Sequence, residues 1–146
     1  MVEESYDCFS FNNKTHFFFE SIGSKGRVLK VVVFNRAEGN RWNVGFGDSR
    51  DGKIDDITFT NNNDVRKVLS TVAQTIYHFS EAHPVRVIAI IPVDERRKHF
   101  YNAVFQRHFS EVSEVFDIFG ILAKDRENYS PEKIYDSFEL VRKFVT

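Results

Sequence analysis

One short segment combines the side chains best suited to bind an anion: Asp94-Glu95-Arg96-Arg97-Lys98, followed by Tyr101. Its cationic residues fall in the first turn of a predicted helix, where the positive end of the helix dipole opposes them. Such a placement costs stability unless an anion compensates it. Arg97 and Tyr101 lie on one helical face, so a guanidinium and a phenol could contact the same ligand. Alternatively, Arg97 pairs with a carboxylate such as Asp94 or Glu95.

A run of asparagines forms the second candidate site, at a predicted junction between a strand and a helix. Free backbone amides at a helix start can receive an anion, and asparagine tolerates the left-handed conformations that direct those amides. The alternative is that these side chains merely cap the helix. The candidate ligand-binding residues of both segments are Asn61, Asn62, Asn63, Asp64, Arg96, Arg97 and Tyr101.

Familiar metal and nucleophile patterns find little support in the sequence. The histidines lack the helical i, i+4 pairing of a zinc site. The segment Asp48 to Asp56 resembles the centre of a calcium loop, but the first and last ligand positions fall on Gly47 and Thr58, which favours a hairpin turn. Cys8 has no cationic neighbour, and neither a nucleophile elbow nor a phosphate-loop lysine is present. We therefore predict no metal and no cofactor.

Length and composition predict one globular domain over residues 1–146. With 20 basic and 21 acidic side chains, the net charge of −1 gives no long-range attraction to nucleic acid or to an acidic membrane. The single cysteine excludes an intrachain disulfide, and the acidic start is unlike a signal peptide, so a cytoplasmic protein is expected. The apolar run from Val85 to Val93 is too short to span a membrane.

Phenylalanine is unusually abundant, with 16 residues, many of them in alternating segments. Aromatic side chains favour strands and contribute strongly to burial, so a phenylalanine-rich core is the first interpretation. The alternative is an aromatic surface left over from the core, which would form a homodimer or bind a ligand.

Hydrophobic alternation predicts a series of strands in the first half of the chain. Loops rich in glycine, at residues 23–26 and 48–52, would reverse the chain direction between them. The first half therefore predicts an antiparallel meander. Its strands are expected at Tyr6–Phe11, Thr15–Ile22, Arg27–Phe34, Arg41–Gly47 and Ile54–Thr60.

The period changes in the second half. Apolar residues from Val65 to Phe79 recur at three and four positions, which predicts a helix, and Asp94 is a natural N-cap for a second helix reaching about Phe109. Three further segments are interpreted as strands: Val85–Ile91, Val112–Leu122 and, in preference to a helix, Ile134–Val145, with a polar loop at Lys124–Lys133. The sequence predicts an α+β fold: an N-terminal antiparallel meander, then helix, strand, helix, strand and a final strand, in one mixed sheet with two main helices.

Several motifs resemble those of a small uncharacterised bacterial family of similar length, a domain of unknown function. They are Gly23-Ser24-Lys25-Gly26 with Lys30-Val31-Val32-Val33-Phe34, Gly45-Phe46-Gly47-Asp48, Thr60-Asn61-Asn62-Asn63-Asp64 with Lys67-Val68-Leu69, Arg97 with Tyr101, and Phe116-Asp117-Ile118-Phe119-Gly120. This resemblance covers most of the chain. It implies no established activity, but it implies that the asparagine run and the helix carrying Arg97 and Tyr101 belong to one surface.

The predicted element order is also similar to the core of the GNAT acyltransferase superfamily. That resemblance implies that the pyrophosphate of acyl-CoA would lie at residues 61–64 and that Tyr101 would protonate the leaving thiolate. Asp94 would stand where that superfamily often has asparagine. The chain lacks the glycine-rich pyrophosphate loop of the superfamily, and asparagine does not let a ligand approach the backbone as closely as glycine.

Three functional hypotheses follow from the sequence. The first is a non-enzymatic module of the bacterial cytosol, compatible with a homodimer, that binds an acidic protein or a small anion at the surface of Asn61–Asp64 and Arg97. The second is an acyl-CoA-dependent transferase with Tyr101 as general acid. The third and weakest is RNA binding through Arg96, Arg97 and Lys98, because the neighbouring rings are expected to face the core.

Overall fold

The structure, a computed structural model, describes residues 4–55, 58–84 and 87–143 of the chain. In these ranges nine strands form one mixed sheet, and two long helices pack against it. The predicted α+β class, with antiparallel strands at the N-terminus, is confirmed. No helix in the described ranges is both long and apolar enough to span a membrane.

The N-terminal strands are β1 (Phe9–Phe11), β2 (His16–Gly23), β3 (Gly26–Arg36), β4 (Arg41–Arg50) and β5 (Lys53–Ile54). They pair with their neighbours in the chain, as a meander requires. Each contact is antiparallel, and β5 pairs with the distal end of β4. The hairpin between β2 and β3 is closed by Gly26, whose φ of 84° suits glycine.

The second half contributes both helices and four more strands. The elements are α1 (Val65–Ala82), β6 (Val87–Ile90), α2 (Glu95–Val112), β7 (Phe116–Leu122), β8 (Asp125–Asn128) and β9 (Ser137–Arg142). The strand order is β1-β2-β3-β4-β6-β9-β7-β8, so β9 lies between β6 and β7. Among the described strands, β4 and β6 are the one parallel pair, joined through α1.

Both helices pack on the same face of the sheet and close a phenylalanine-rich core. Phe34 of β3 stacks on Phe79 of α1 with ring centroids 4.0 Å apart. Phe46 of β4 stacks on Phe100 of α2 at 4.7 Å. These rings are all buried, as are Phe17, Phe19, Phe105, Phe116 and Phe138. Much of the excess phenylalanine therefore fills the core, as the first interpretation expected.

Several predicted boundaries need correction. The predicted strand Ile54–Thr60 is wrong beyond β5, because Asp55 and residues 58–60 are not in a strand; residues 56 and 57 lie outside the described ranges. The main-chain groups of Asp55 and Thr60 make other hydrogen bonds: the N–H of Asp55 donates to the Asp48 carbonyl at 2.8 Å, and the Thr60 carbonyl accepts from the Lys30 ammonium.

The C-terminal part differs in three places. The predicted loop Lys124–Lys133 contains β8, because Ala123 and Lys124, at φ values of 48° and 75°, make a tight hairpin turn. The predicted strand at Val112 begins only at Phe116, because α2 continues through Val112. The preference for a strand over a helix in Ile134–Val145 is confirmed by β9, which spans Ser137–Arg142; residues 144 and 145 lie outside the described ranges.

The buried strand predicted at Val85–Ile91 is shorter in the structure. Val85 and Arg86 lie outside the described ranges, β6 ends at Ile90, and Ile91 is exposed. Ile88, Ala89 and Ile90 are almost completely buried, which agrees with a strand covered on both faces.

Candidate functional site

A cavity of about 360 Å³ opens between the starts of the two helices. It joins the two segments that sequence analysis singled out, since Asn61, Asn62 and Asp64 line one side and Arg96 the other. The other lining residues are Lys30, Phe46, Phe59, Thr60, Val65, Val68, His99, Phe100 and Ala103. We call it the interhelix cavity.

The closed end of the interhelix cavity holds a buried ion pair. Lys30 is 2% exposed, and its ammonium donates to the carboxylate of Asp48 and, at 2.7 Å, to the Thr60 carbonyl. Asp48 in turn accepts from the Thr60 N–H at 3.1 Å and from the Thr60 hydroxyl at 2.5 Å. A buried charge needs such partners, so the three residues form one interdependent cluster.

Three phenylalanine rings form the apolar wall of the cavity. The ring of Phe59 meets those of Phe46 and Phe100 edge-to-face, each at 5.6 Å between centroids. The Lys30 ammonium lies 5.2 Å from the Phe59 centroid and 5.9 Å from the Phe46 centroid, within the range of cation–π attraction. The cavity therefore combines aromatic surface with a buried ammonium whose charge is balanced by Asp48.

Asn62 lines the cavity, but its side-chain amide makes hydrogen bonds to the main chain of β2 and of the β2–β3 hairpin. Its side-chain N–H groups donate to the Ser21 carbonyl at 3.2 Å and the Gly26 carbonyl at 2.8 Å, and its amide oxygen accepts from the Lys25 N–H at 2.6 Å. A Cβ on Gly23 would lie 1.8 Å from the Asn62 carbonyl oxygen, so only glycine permits this approach. Asn62 thus ties the β2–β3 hairpin to the start of α1.

Asp64 is the N-cap residue of α1, but its side chain does not cap the helix. Its carboxylate accepts from the Tyr6 hydroxyl at 2.6 Å and from the Ser21 hydroxyl at 2.5 Å. Burial, and then the Asp64 carboxylate, raise the pKa of Tyr6 above its usual value. The Asp64 side chain therefore does not form the N-cap hydrogen bond that sequence analysis gave as the alternative to anion binding.

The two remaining asparagines lie at the surface. Asn61 lines the cavity and accepts from the Asn63 N–H at 3.0 Å. Asn63 adopts a left-handed φ of 61°, as predicted for asparagine, and its amide donates to the Ser24 hydroxyl at 2.5 Å. Asn63 does not line the interhelix cavity.

Arg97 is buried, and its guanidinium makes hydrogen bonds within the protein. Its Nε donates to the Phe46 carbonyl at 2.8 Å, one terminal nitrogen donates to the Asp55 carbonyl at 3.0 Å, and the other pairs with Asp94. Asp94 also caps α2, accepting from the Arg97 N–H at 2.8 Å. Burial tends to raise the pKa of Asp94, but the hydrogen bonds and charge of Arg97 outweigh it and lower the pKa.

Tyr101 lies beside Arg97 in a second cavity of about 300 Å³, on the other side of Phe46. It is 2% exposed, and burial raises its pKa far above the usual value despite the charge of Arg97 and a hydrogen bond with the main chain of Phe46. The structure therefore divides the predicted set: Arg96 reaches the interhelix cavity, whereas Arg97 and Tyr101 reach the second one.

Sequence analysis missed Lys30 and Phe59 as cavity residues, and it missed Asp48 as the buried partner of Lys30. A signal for Lys30 was present, because it alternates with Val32 and Phe34 and must share their core-facing side of β3. Asp48 was interpreted as part of a turn, whereas it is the strand partner of Lys30 in the register of β3 and β4.

Fold and cavity together define an α+β protein with a mixed sheet, two helices on one face, and an aromatic, partly cationic cavity between the helix starts. The chain belongs to a family of unknown function, DUF6934, whose model matches residues 2–143. The expected membership of a domain of unknown function is thus confirmed. No curated protein and no solved structure shows a significant match to the chain.

Proposed function

We propose that this protein binds a small organic anion in the interhelix cavity, in the cytosol and without converting it chemically. The observation that carries the proposal is the convergence of Lys30 and Arg96 on one aromatic-lined space of about 360 Å³. Small-molecule sites are typically concave, mostly apolar, and supplied with a few orienting polar groups, and this cavity has those properties.

The charges around the cavity favour an anion at its mouth. Arg96 and His99 are exposed residues on the face of α2 that lines the cavity, one helical turn apart. Among the described lining residues Asp64 is the acidic one, and its carboxylate accepts hydrogen bonds from the hydroxyls of Tyr6 and Ser21. An anionic group beside Arg96 would also lie near the positive end of the α2 dipole.

The depth of the site favours a small molecule over an acidic protein. Lys30 and Phe46 are almost completely buried, and a flat protein surface would not reach them. Binding without conversion is supported by the state of the Lys30 amine, which is held by Asp48 and Thr60 rather than available as a nucleophile.

Isothermal titration with acetate, hexanoate, benzoate and phosphate tests the proposal. At least one organic anion should bind, and Arg96→Gln should weaken its affinity by about tenfold, the usual effect of losing a charged hydrogen bond. Arg36→Gln is the matched control, because Arg36 is exposed at the end of β3 and does not line the cavity. Absence of binding by the three organic anions, or equal loss in both variants, would contradict the proposal.

An acyl-CoA-dependent transferase is the second candidate. It is favoured by the separation of the parallel strands β4 and β6. Their last paired residues are Val44 and Ile90, and β4 continues beyond that pair to Arg50 without β6 beside it. The second cavity lies at this divergence, with Tyr101 in its wall. However, Arg97 and Tyr101 already occupy the main-chain groups of Phe46 at this edge.

Thermal unfolding with millimolar acetyl-CoA separates the two candidates. A transferase should show a melting temperature that rises with ligand concentration, since binding to the native state stabilises it. CoA without the acetyl group is the control for the nucleotide portion. An unchanged melting temperature argues against acyl transfer and leaves anion binding untouched.

RNA binding has the weakest support. Phe100 and Tyr101, the rings nearest the cationic segment, are 8% and 2% exposed and offer no stacking platform. Salt-dependent binding of single-stranded RNA would be needed to reinstate it.

Self-association is proposed through the sheet face opposite the helices, near β1. Phe9, Phe11, Ile22 and Leu29 are exposed there and share one face by strand register. The same face carries Glu20 and Arg27, whose opposite charges would be complementary in a two-fold pairing of identical surfaces. Light scattering should report a dimer that Phe9→Ser/Phe11→Ser dissociates. A monomeric parent protein would contradict this proposal.

A further inference from the structure

We infer that the ligand of the interhelix cavity is a flat aromatic anion that carries an uncharged hydrogen-bond acceptor at the end opposite its charge. This inference rests on the proposed function and specifies the chemistry of its ligand. The acceptor binds Lys30 at the closed end, the ring contacts Phe59 and Phe100, and the anionic group lies at the mouth beside Arg96.

The closed end of the cavity retains one unused donor. A lysine ammonium has three N–H donors, and Lys30 uses one for Asp48 and one for the Thr60 carbonyl. Among the described residues the third has no acceptor, although the side chain is 2% exposed and lines the cavity. A donor held in a poorly solvated cavity gains from a hydrogen-bond acceptor that a ligand supplies.

The acceptor for that donor should be uncharged. Lys30 and Asp48 neutralise each other, so a second carboxylate at the closed end would meet the Asp48 carboxylate in a poorly solvated space. A carbonyl oxygen takes the hydrogen bond without adding a charge. The ligand's own charge is then best placed at the other end, where Arg96 and His99 are exposed.

The ring geometry favours a planar aromatic body between the two ends. Phe59 and Phe100 both line the cavity, and their ring planes meet at 73°, so a ligand ring parallel to one of them stands nearly perpendicular to the other. A planar ring can contact such walls by offset stacking and by an edge-to-face contact at once. A puckered aliphatic ring of similar volume would gain neither of these contacts.

Two matched ligands test the inference. Para-acetylbenzoate has the carbonyl acceptor, whereas para-isopropylbenzoate has nearly the same shape and charge without it. Titration should show that the wild-type protein binds the acetyl compound about tenfold more tightly, because the acceptor completes a charged hydrogen bond. The uncharged analogue para-methylacetophenone should bind more weakly than para-acetylbenzoate, and para-acetylcyclohexanecarboxylate should lose affinity through its puckered ring.

The double variant Lys30→Met/Asp48→Asn assigns the preference to Lys30. It removes both buried charges together, and the preference for the acetyl compound should disappear while Arg96→Gln still weakens both benzoates. If the double variant does not fold, the comparison of the matched ligands in the wild-type protein still decides. Equal binding of both benzoates with retained dependence on Arg96 would overturn this inference but not the proposed function. Failure of every benzoate and aliphatic anion to bind would overturn both.

Discussion

Lys30 and Asp48 are direct partners in the register of β3 and β4, and their side chains form an ion pair on the core-facing side of the sheet. Both are buried, and Thr60 from the following loop adds hydrogen bonds to each. The pair therefore fixes two things at once: the closed end of the interhelix cavity and the path of the chain from β5 into α1.

Removing one member of this pair should be worse than removing both charges. We expect Lys30→Met to destabilise the protein by about 3–5 kcal/mol, because it leaves the Asp48 carboxylate buried without a counter-charge. Lys30→Met/Asp48→Asn should cost clearly less, since the asparagine amide introduced in place of the carboxylate can still bond to Thr60. Urea unfolding followed by circular dichroism measures both. A double variant less stable than Lys30→Met would contradict this expectation, because it would mean that the Asp48 carboxylate stabilises the fold even without Lys30.

Arg97→Lys should destabilise the protein although it keeps the charge. A lysine cannot contact Phe46, Asp55 and Asp94 together as the planar guanidinium does, so we expect a loss of about 2–3 kcal/mol. Arg96→Lys, at the neighbouring exposed position, is the control and should change the unfolding free energy by less than about 0.5 kcal/mol. Similar losses in the two variants would refute the structural role of Arg97.

Asn62→Ala should loosen the link between the β2–β3 hairpin and α1. It leaves the carbonyls of Ser21 and Gly26 without their side-chain donor, and we expect a loss of about 2–3 kcal/mol in unfolding free energy. Asn61→Ala, which removes only an exposed turn contact, should cost less than about 1 kcal/mol. Hydrogen exchange of the Lys25 amide, whose acceptor is the Asn62 side chain, should accelerate only in Asn62→Ala.

Acid should weaken the start of α2. Because its partnership with Arg97 lowers the pKa of folded Asp94 below the ordinary value of 3.8, its contribution is complete above that value and is lost as the pH falls through the lowered pKa. We expect Asp94→Asn, which can still cap the helix, to be less stable than wild type at neutral pH. The difference should shrink as the pH falls below about 4. A difference independent of pH in urea unfolding would contradict this linkage.

Cys8 should react slowly with alkylating reagents. Burial, followed by the charge of Asp7, raises its pKa to about 11, so little thiolate is present near neutrality. We expect iodoacetamide to modify the folded protein on the order of a hundredfold more slowly at pH 8 than the protein unfolded in urea. Asp7→Asn should raise the rate only modestly. Equal rates in the folded and unfolded protein, measured by mass spectrometry, would be incompatible with this environment.

The sequence predicts the fold where hydrophobic period and turn residues agree. Val65–Ala82 and the strands flanking Gly26 show such agreement, and their boundaries differ by only a few residues from those expected. It does not predict β8, because Asp125-Arg126-Glu127-Asn128 lacks the apolar alternation of a strand. That edge strand depends on pairing with β7, a tertiary contact that local propensity does not encode.

The juxtaposition of the two helix starts could be predicted from the sequence, but the residues that line the cavity between them could not. The segments rich in asparagine and arginine were predicted to share one surface, and the structure brings Asn61 and Arg96 to one cavity. Which of two adjacent arginines faces that cavity depends on the rotation of α2 about its axis, set by core packing. The contribution of Lys30 depends on strand register, which a single sequence leaves open.

The position of β9 between β6 and β7, strands that precede it in the chain, has a consequence for synthesis on the ribosome. Strands β1 to β4 pair with sequence neighbours and can assemble as they emerge. β6 and β7 cannot be joined until residues 137–142 have left the exit tunnel. Until then the strand edges that pair with β9, at residues such as Ile90 and Ile118, lack their backbone hydrogen-bond partners. Vectorial folding of this half is therefore delayed to its last strand, the stage at which a nascent chain would most need a chaperone.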